Sequence, residues 1–318
     1  VPQLDSLRGA GYIADRLKPA AGTGGRRCLW AIVKAMAFIA SSSAEQDDAT
    51  TFWPAPASRM SLAWRDLLDG SRKPWMWNAL ALQDIRLRYR GSLLGPFWLT
   101  ISTLVMVVAM GVIYPLLFHM EVRSYVPYLA VGLIVWQLLS SLINEGCDTF
   151  LREQSVIQQV PVPFSVHAFR CVCRNFLVLA HNLVIVPIGM LALGLSVSWA
   201  TLAVIPGFAL IAVNGIWISL LLGMVSARFR DVPPIVASFM QVLFFLTPVM
   251  WPVEAVSHSH PIVNLNPFFA AIDVVRAPLL GVPTAPTSWP ILLLLTILGS
   301  ALGFLFFARF RTRIAYWI

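Results

Sequence analysis

The stretch DIRLRYRGSLLGPFW (Asp84–Trp98) sets a dense cationic cluster directly against an apolar run, with no linker between them. Arg86, Arg88 and Arg90 alternate with Ile85, Leu87 and Tyr89; Arg72 lies upstream, and a long apolar segment begins at Phe97. A chain surrounded by water has no use for that junction. A chain that enters a bilayer does, because guanidinium groups that do not cross the hydrocarbon hold one end of the segment at the surface.

Composition points the same way. The 318 residues are 58% hydrophobic and 12% charged, with a mean hydropathy of +0.74. Soluble domains carry about 25% charged residues. The expected fold class is an all-α polytopic membrane protein. Six segments reach the length of about 20 residues that a spanning helix needs: Phe97–Phe118, Tyr125–Cys147, Asn175–Leu195, Thr201–Val225, Val232–Trp251 and Trp289–Ala308. The net charge of +8 does not argue for nucleic acid, since the basic residues form short clusters between apolar runs and not one continuous face. Cys28, Cys147, Cys171 and Cys173 give no disulfide framework and no second pair at zinc-like spacing, so they read as buried apolar residues.

Lysine and arginine set the orientation. Arg65, Arg72, Lys73, Arg86, Arg88 and Arg90 precede the first expected span. Arg152, Arg170 and Arg174 follow the second, Arg228 and Arg230 the fourth, and Arg309, Arg311 and Arg313 the sixth. The other side has Arg123 and Arg276. By the positive-inside rule both termini are expected in the cytoplasm, in the inner (plasma) membrane. Residues 1–59 differ from the rest and are expected to form a poorly ordered extension, ahead of an interfacial region at 60–96 and a spanning domain at 97–318. The run Leu29–Ala40 contains Lys34 and is too short to span. It loosely imitates a signal peptide, but translocating the segment after it would carry six basic residues outward. A start of translation at Met60 is the sharper expectation.

Lys18, Lys34 and Lys73 are the chain's lysines, and none sits in a G-x-x-x-x-G-K-[ST] phosphate loop. Hydrolase and zinc-protease signatures are absent as well, so catalysis within the chain is not expected. Ionisable residues in spans deserve a functional hypothesis. Glu145 and Asp148 end the second expected span, and His181 lies in the third beside Asn182. A proton relay through His181 would make the chain a secondary lipid or glycan flippase. Interhelical hydrogen bonding, with Asn175 and Asn214 in the same role, is the plainer reading.

On a helix, Trp75, Leu82, Ile85, Tyr89 and Leu93 fall within an arc of roughly 80°, with Asp84 and Arg88 opposite and placed to pair. This predicts an interfacial amphipathic helix flanked by Arg86 and Arg90, with Gly95-Pro96 as an elbow. The connection Asp148–Arg170 is polar and helix-capable over Phe150–Gln159, ends at Pro161 and Pro163, and suits docking to a soluble partner. On the far side, Pro267–Asp273 and Val274–Leu280 read as re-entrant or interfacial pieces and candidate gate segments.

These residues together resemble a known family. DIR through YRGSLLGPFW, VPYLAVGLIVWQ (Val126–Gln137), RFRDVPPIVASFMQVLFFLTPVMWP (Arg228–Pro252), LNPFFAAIDVVRAPLLG (Leu265–Gly281) and FARFRTRIAYWI (Phe307–Ile318) are similar to permease subunits of polysaccharide-exporting ABC transporters. These are the membrane halves of O-antigen, capsule and teichoic-acid exporters. The likeness runs from about Met60 to Ile318. It implies a homodimer paired with two ABC ATPase subunits, which carry ATP and Mg, leaving this chain without a cofactor. Leu151, Arg152, Glu153, Gln154, Ile157 and Gln158 would form the ATPase-coupling element. The cargo would be a polysaccharide on undecaprenyl diphosphate, with Arg86, Arg88 and Arg90 placed for its headgroup among membrane lipids. Phe97, Trp98, Trp136, Phe244, Phe245 and Trp251 are candidates for the glycan path, or else interface anchors and packing. A small-molecule ABC permease remains the alternative within the same class.

Overall fold

A computed structural model describes residues 58–92, 95, 97–118, 121–187, 199–253 and 261–318. Every element among them is helical. The expected extension before residue 58, the signal-like run, and Leu93, Leu94 and Pro96 of the elbow lie outside the described residues.

Two helices precede the spans. In α1 (Arg59–Ser71) the Ser58 hydroxyl caps the first turn by accepting from the Ser61 amide at 3.2 Å. Pro74 opens α2 (Pro74–Arg88), where a missing N–H costs nothing. Next come α3 (Phe97–Phe118), α4 (Val122–Cys147), the short α5 (Gln154–Gln159) and α6 (Phe164–Asn182). They are followed by α7 (Val204–Arg228), α8 (Val232–Leu246), one-turn α9 (Pro261–Asn264), α10 (Pro267–Leu280), α11 (Ser288–Phe310) and one-turn α12 (Ile314–Trp317).

Five helical stretches are long and apolar enough to cross a membrane: Phe97–Leu116, Val122–Cys147, Phe164–Pro187, Thr201–Arg228 and Ser288–Trp317. Expected spans one, two, four and six coincide with four of them. The third begins earlier than expected, at Phe164, and its expected end falls beyond the described residues. The fifth expected span, Val232–Trp251, differs. It is helical for 15 residues, to Leu246, about 22 Å of axis, which is shorter than a bilayer core. Pro248 ends it: a proline disfavours helical backbone in the residue before it, and Thr247 is extended at φ −96°, ψ 137°.

The two expected gate pieces, Pro267–Asp273 and Val274–Leu280, are one helix, α10, buried along Phe269–Pro278. Both of its ends are specified locally. Asn266 Oδ1 accepts from the Phe268 and Phe269 amides at 2.9 and 3.3 Å, and Gly281 closes the helix at φ +69°.

α4 is the central helix. Leu129, Ile134 and Leu142 are fully buried there against α10's Ile272 and Val274 and α7's Ile211. α7 and α11 approach closely because Gly299 and Gly303 face Trp217; a Cβ at Gly303 would lie 3.0 Å from the Trp217 Cβ. A second apolar cluster, at the arginine-rich end, joins Phe150, Met224, Phe307 and Ile314. Beside it the Asp66 carboxylate, on α1, accepts from the Phe164 and Ser165 amides at the start of α6 and from Arg311 Nε at 2.7 Å.

Candidate functional site

Two features stand out, and both depend on α4. The first is a closed set of ion pairs at its arginine-end terminus. Arg170 of α6 donates from Nε to Asp84 of α2 at 2.8 Å and reaches Glu153 at 2.6 Å. Arg174, one turn on, donates to Asp84 at 2.7 Å and to Glu145 of α4 at 2.7 Å. Glu145 also accepts from Arg88 at 2.8 Å and from Asn175 Nδ2 at 2.8 Å. Glu153, Arg170, Asp84, Arg174, Glu145 and Arg88 thus form one chain of alternating charge, and the charges balance. The side chains of Asp84, Glu145, Glu153, Arg170 and Arg174 are 10–17% exposed. Burial raises the Asp84 pKa, but Arg170 and Arg174 outweigh it and hold the carboxyl below its usual value.

This geometry corrects one expectation. Asp84 does not pair with Arg88; each is drawn to a longer-range partner on α6 or α4. The helix is also less simply interfacial than its wheel suggests. Of the expected apolar stripe, Ile85 is buried and Tyr89 half-buried, while Trp75 and Leu82 are exposed. The face that seats α2 on α6 carries Asp84 with Ala81 and Ile85. Arg86 and Arg90 stay exposed, and Arg88 is bound to Glu145.

The expected coupling residues divide in two. Glu153 is tied into the ion pairs, whereas Arg152 makes an exposed pair with Asp148. Leu151 is half-buried, Ile157 packs on the Ile314 cluster, and Gln158 Nε2 donates to the Ile318 carbonyl at 3.4 Å. Gln154 is exposed on α5, as are Ser155, Val156 and Gln159 of the same helix-capable stretch, and Val160 just past its end.

The second feature is a groove of about 500 Å³ between α3, α4 and α8. Trp136, Phe244, Leu133, Met106, Met240 and Ala237 line it together with Ser102, Thr103, Gln137, Ser140, Ser141 and Gln241. Trp136 is the hinge of its aromatic wall, with ring centroids 5.5 Å from Phe244 and 5.7 Å from Phe268 of α10. Gln137 Oε1 accepts from Thr103 and Asn182 at 3.2 and 2.9 Å. Of the aromatic candidates, Trp136 and Phe244 line the groove. Phe245 stacks edge-on against Phe244, and the Trp251 indole donates to the Phe245 carbonyl at 3.1 Å. Phe97 and Trp98 are exposed outside it, with Phe97 edge-on to His181. The polar lining was available as a sequence signal, since uncharged polar residues recur at helical spacing within apolar spans.

His181 is satisfied locally. Its Nδ1 lies 2.7 Å from the Leu177 carbonyl of its own helix, so that nitrogen carries the hydrogen. Asn214 likewise bridges α7 to Thr296 of α11 at 2.7 Å.

The family described as ABC-2 type transporter matches residues 77–280, which includes most of α2, the ion-pair cluster, the groove and α10. Among characterised proteins, the O-antigen export system permease protein RfbA of Myxococcus xanthus is 28% identical over 211 residues, 63% of this chain and 78% of that protein. The protein of the same name from Klebsiella pneumoniae is 23% identical over 195 residues, 60% of this chain and 74% of that one. The family match takes in well over half of the sequence, and the chain belongs to the ABC-2 type transporter family as a membrane-spanning protein.

Proposed function

We propose that the chain is the membrane subunit of an ATP-driven exporter that moves an undecaprenyl-diphosphate-linked polysaccharide of O-antigen type across the inner membrane. It works as a homodimer with two separate ABC ATPase subunits, and both termini are cytoplasmic. The observation that carries this reading is the groove. Part of the polar lining holds helices together, as Gln137 does through Thr103 and Asn182, but hydroxyl and amide groups set along an open groove beside two aromatic faces also suit a polar chain passing over them. A sugar polymer has that character: hydroxyl edges that exchange hydrogen bonds, and C–H faces that rest on aromatic rings. Neutral, repeated and individually weak contacts let a long chain slide.

The other features take roles around the groove. The exposed face of α5 seats in the ATPase, and Glu153 passes its displacement through Arg170 to α2 and through Arg174 to α4. Arg86 and Arg90 meet the diphosphate headgroup, for which guanidinium forks are suited. Arg88, held by Glu145, fixes α2 beneath them. His181 has no carboxylate partner among the described residues, so nothing favours the proton-driven alternative.

The test is export itself. Cells lacking the chain are expected to lose surface polysaccharide and accumulate the lipid-linked polymer inside. Restoring a Trp136→Ala, Gln137→Ala double variant is expected to cut export at least about tenfold, consistent with loss of a stacking face and an amide, with the protein still inserted in the membrane. Unchanged surface polysaccharide in the deletion strain rules the reading out. Export that survives ATP depletion but collapses with an uncoupler moves it to the proton-driven class.

A further inference from the structure

We infer that the bundle takes the end of one phospholipid acyl chain into an apolar cavity between α4, α7, α10 and α11, as a bound structural lipid. This rests on the membrane-spanning bundle alone and not on the export reading.

The cavity measures about 200 Å³. Leu142 and Ile143 of α4, Ile211 and Ile218 of α7, Ala271 of α10 and Leu292 of α11 wall it. On α4 these residues occupy a different face from Trp136, Gln137 and Ser140 of the groove, so the two spaces are separate. The polar side chains in the wall, Asn214 and Trp217, are already spent on the protein. Asn214 Nδ2 donates to the Leu210 carbonyl at 2.9 Å and to Thr296 Oγ1 at 2.7 Å, and its Oδ1 accepts from the Trp217 indole at 2.8 Å. A buried water needs about two to four polar partners, so this space favours apolar contents. An apolar cavity of about 150 Å³ in a soluble protein takes up benzene. The cavity here has room for several methylene groups: the end of one chain and not a whole lipid.

Depth selects the occupant. A Cβ at Gly215 would stand 3.1 Å from Leu142 Cδ2, and Asn214 bonds Thr296 across to α11. The cavity therefore lies at the middle of the spanning stretch Thr201–Arg228. That level is the hydrocarbon core, where the ends of acyl chains are the apolar matter at hand. Leu142, Ala271 and Leu292, at the back, are 2%, 4% and 1% exposed. Ile143, Trp217, Ile218 and Leu295 are half-buried, so the wall runs from the core out to the surface of the bundle. Leu294 and Leu298, exposed on α11, continue that surface toward lipid. Phe268 lines the cavity and also packs on Trp136, with ring centroids 5.7 Å apart. A chain end seated behind Phe268 supplies the contacts that an unfilled space forfeits.

The test uses the permease with its ATPase in lipid vesicles, without nucleotide. The probe is a phosphatidylethanolamine with a diazirine at the end of one acyl chain. After illumination, the modified residues are identified by mass spectrometry. Leu142, Ala271 and Leu292 are expected to be labelled, although lipid running along the outside of the bundle does not reach them.

Ala271→Leu puts a larger side chain into the space. It is expected to cut labelling of Leu142 and Leu292 at least about tenfold, since a chain end must then overpack the site. Labelling of Leu298, on the lipid-facing side of α11, is expected to stay at the parent level. Parent protein without label at the buried residues overturns the proposal. So does labelling that Ala271→Leu leaves unchanged, or lowers equally at Leu298. Labelling of the buried residues that is lost on adding excess polyprenyl phosphate assigns the cavity to an isoprenoid chain and overturns the acyl assignment. If Ala271→Leu does not accumulate in the membrane, Ile218→Phe, at a half-buried wall position, decides in its place. Neither transport nor hydrolysis is measured, so a failure here is distinct from a failure of the deletion strain to show an export defect.

Discussion

Asp84 lies between two guanidinium groups at the point where α2 meets α6. Removing one partner from a buried ionic set leaves the others uncompensated, typically at about 3–5 kcal/mol. Asp84→Asn is expected to lower the thermal unfolding temperature of the detergent-solubilised protein clearly, while Arg86→Gln, on an exposed side chain, leaves it nearly unchanged. The pH dependence comes from the direction of the shift. The folded pKa of Asp84 is below the unfolded value, which is about 3.9. Its contribution is therefore full above that value and is lost as pH falls through the folded pKa. Between pH 5 and 8 this group is expected to add no pH dependence to the unfolding temperature of the parent. Below about pH 4 the gap between parent and Asp84→Asn is expected to close. A gap that does not narrow as pH falls below about 4 would place the stabilisation elsewhere.

At the scale of single elements, α5 and its flanks separate two arginine–carboxylate pairs that look equivalent in sequence. Arg152–Asp148 is an exposed pair four residues apart, of a kind worth about 0–1 kcal/mol. Glu153–Arg170 is half-buried and joins the connection to α6. Glu153→Lys is therefore expected to uncouple ATP hydrolysis from export in the reconstituted complex, with hydrolysis retained and export lost. Arg152→Glu is expected to keep at least about half of both, since an exposed pair contributes little. Equal effects from the two would remove the Glu153–Arg170 pair from the coupling path.

Much of this level was legible in the sequence. Apolar length and flanking arginines placed four of the spans, and Pro161 with Pro163 marked the end of the helix-capable stretch before α6. Two things were not legible. Val232–Trp251 has the length and composition of a span, and only the backbone consequence of Pro248 shortens it. Asp84 and Arg88 sit one turn apart, yet their pairing was decided by Arg174 and Glu145, which approach only after folding. The polar lining of the groove was visible residue by residue, but nothing in one-dimensional spacing brings Gln241 to Gln137.

For the whole molecule, the groove has walls from α3, α4 and α8, and α3 and α8 both present apolar faces outward. Val105 and Val108 on one and Ile235, Phe239 and Val242 on the other are exposed. In the proposed homodimer these faces are expected to meet a second copy across the groove mouth. A cysteine at Phe239, with native cysteines removed, is expected to give a disulfide-linked dimer on mild oxidation in membranes. A cysteine at Leu298, on the exposed side of α11, is expected to remain monomeric. The opposite pattern would move the dimer seam to α11.

The carboxylate of Asp66 has a bearing on how the protein is made. Its side chain is fully buried, and its guanidinium partner, Arg311, comes 245 residues later. At about 5–20 residues per second, synthesis separates the two by about 12–50 s. During that interval α6 is already present and its first amides are available to Asp66, but the cation is still unmade. The arginine-rich end of the bundle thus finishes assembling only when α11 and Arg311 have left the ribosome. A chain cut short before Arg311 carries a buried anion without its cation and gives membrane quality control a defect to act on.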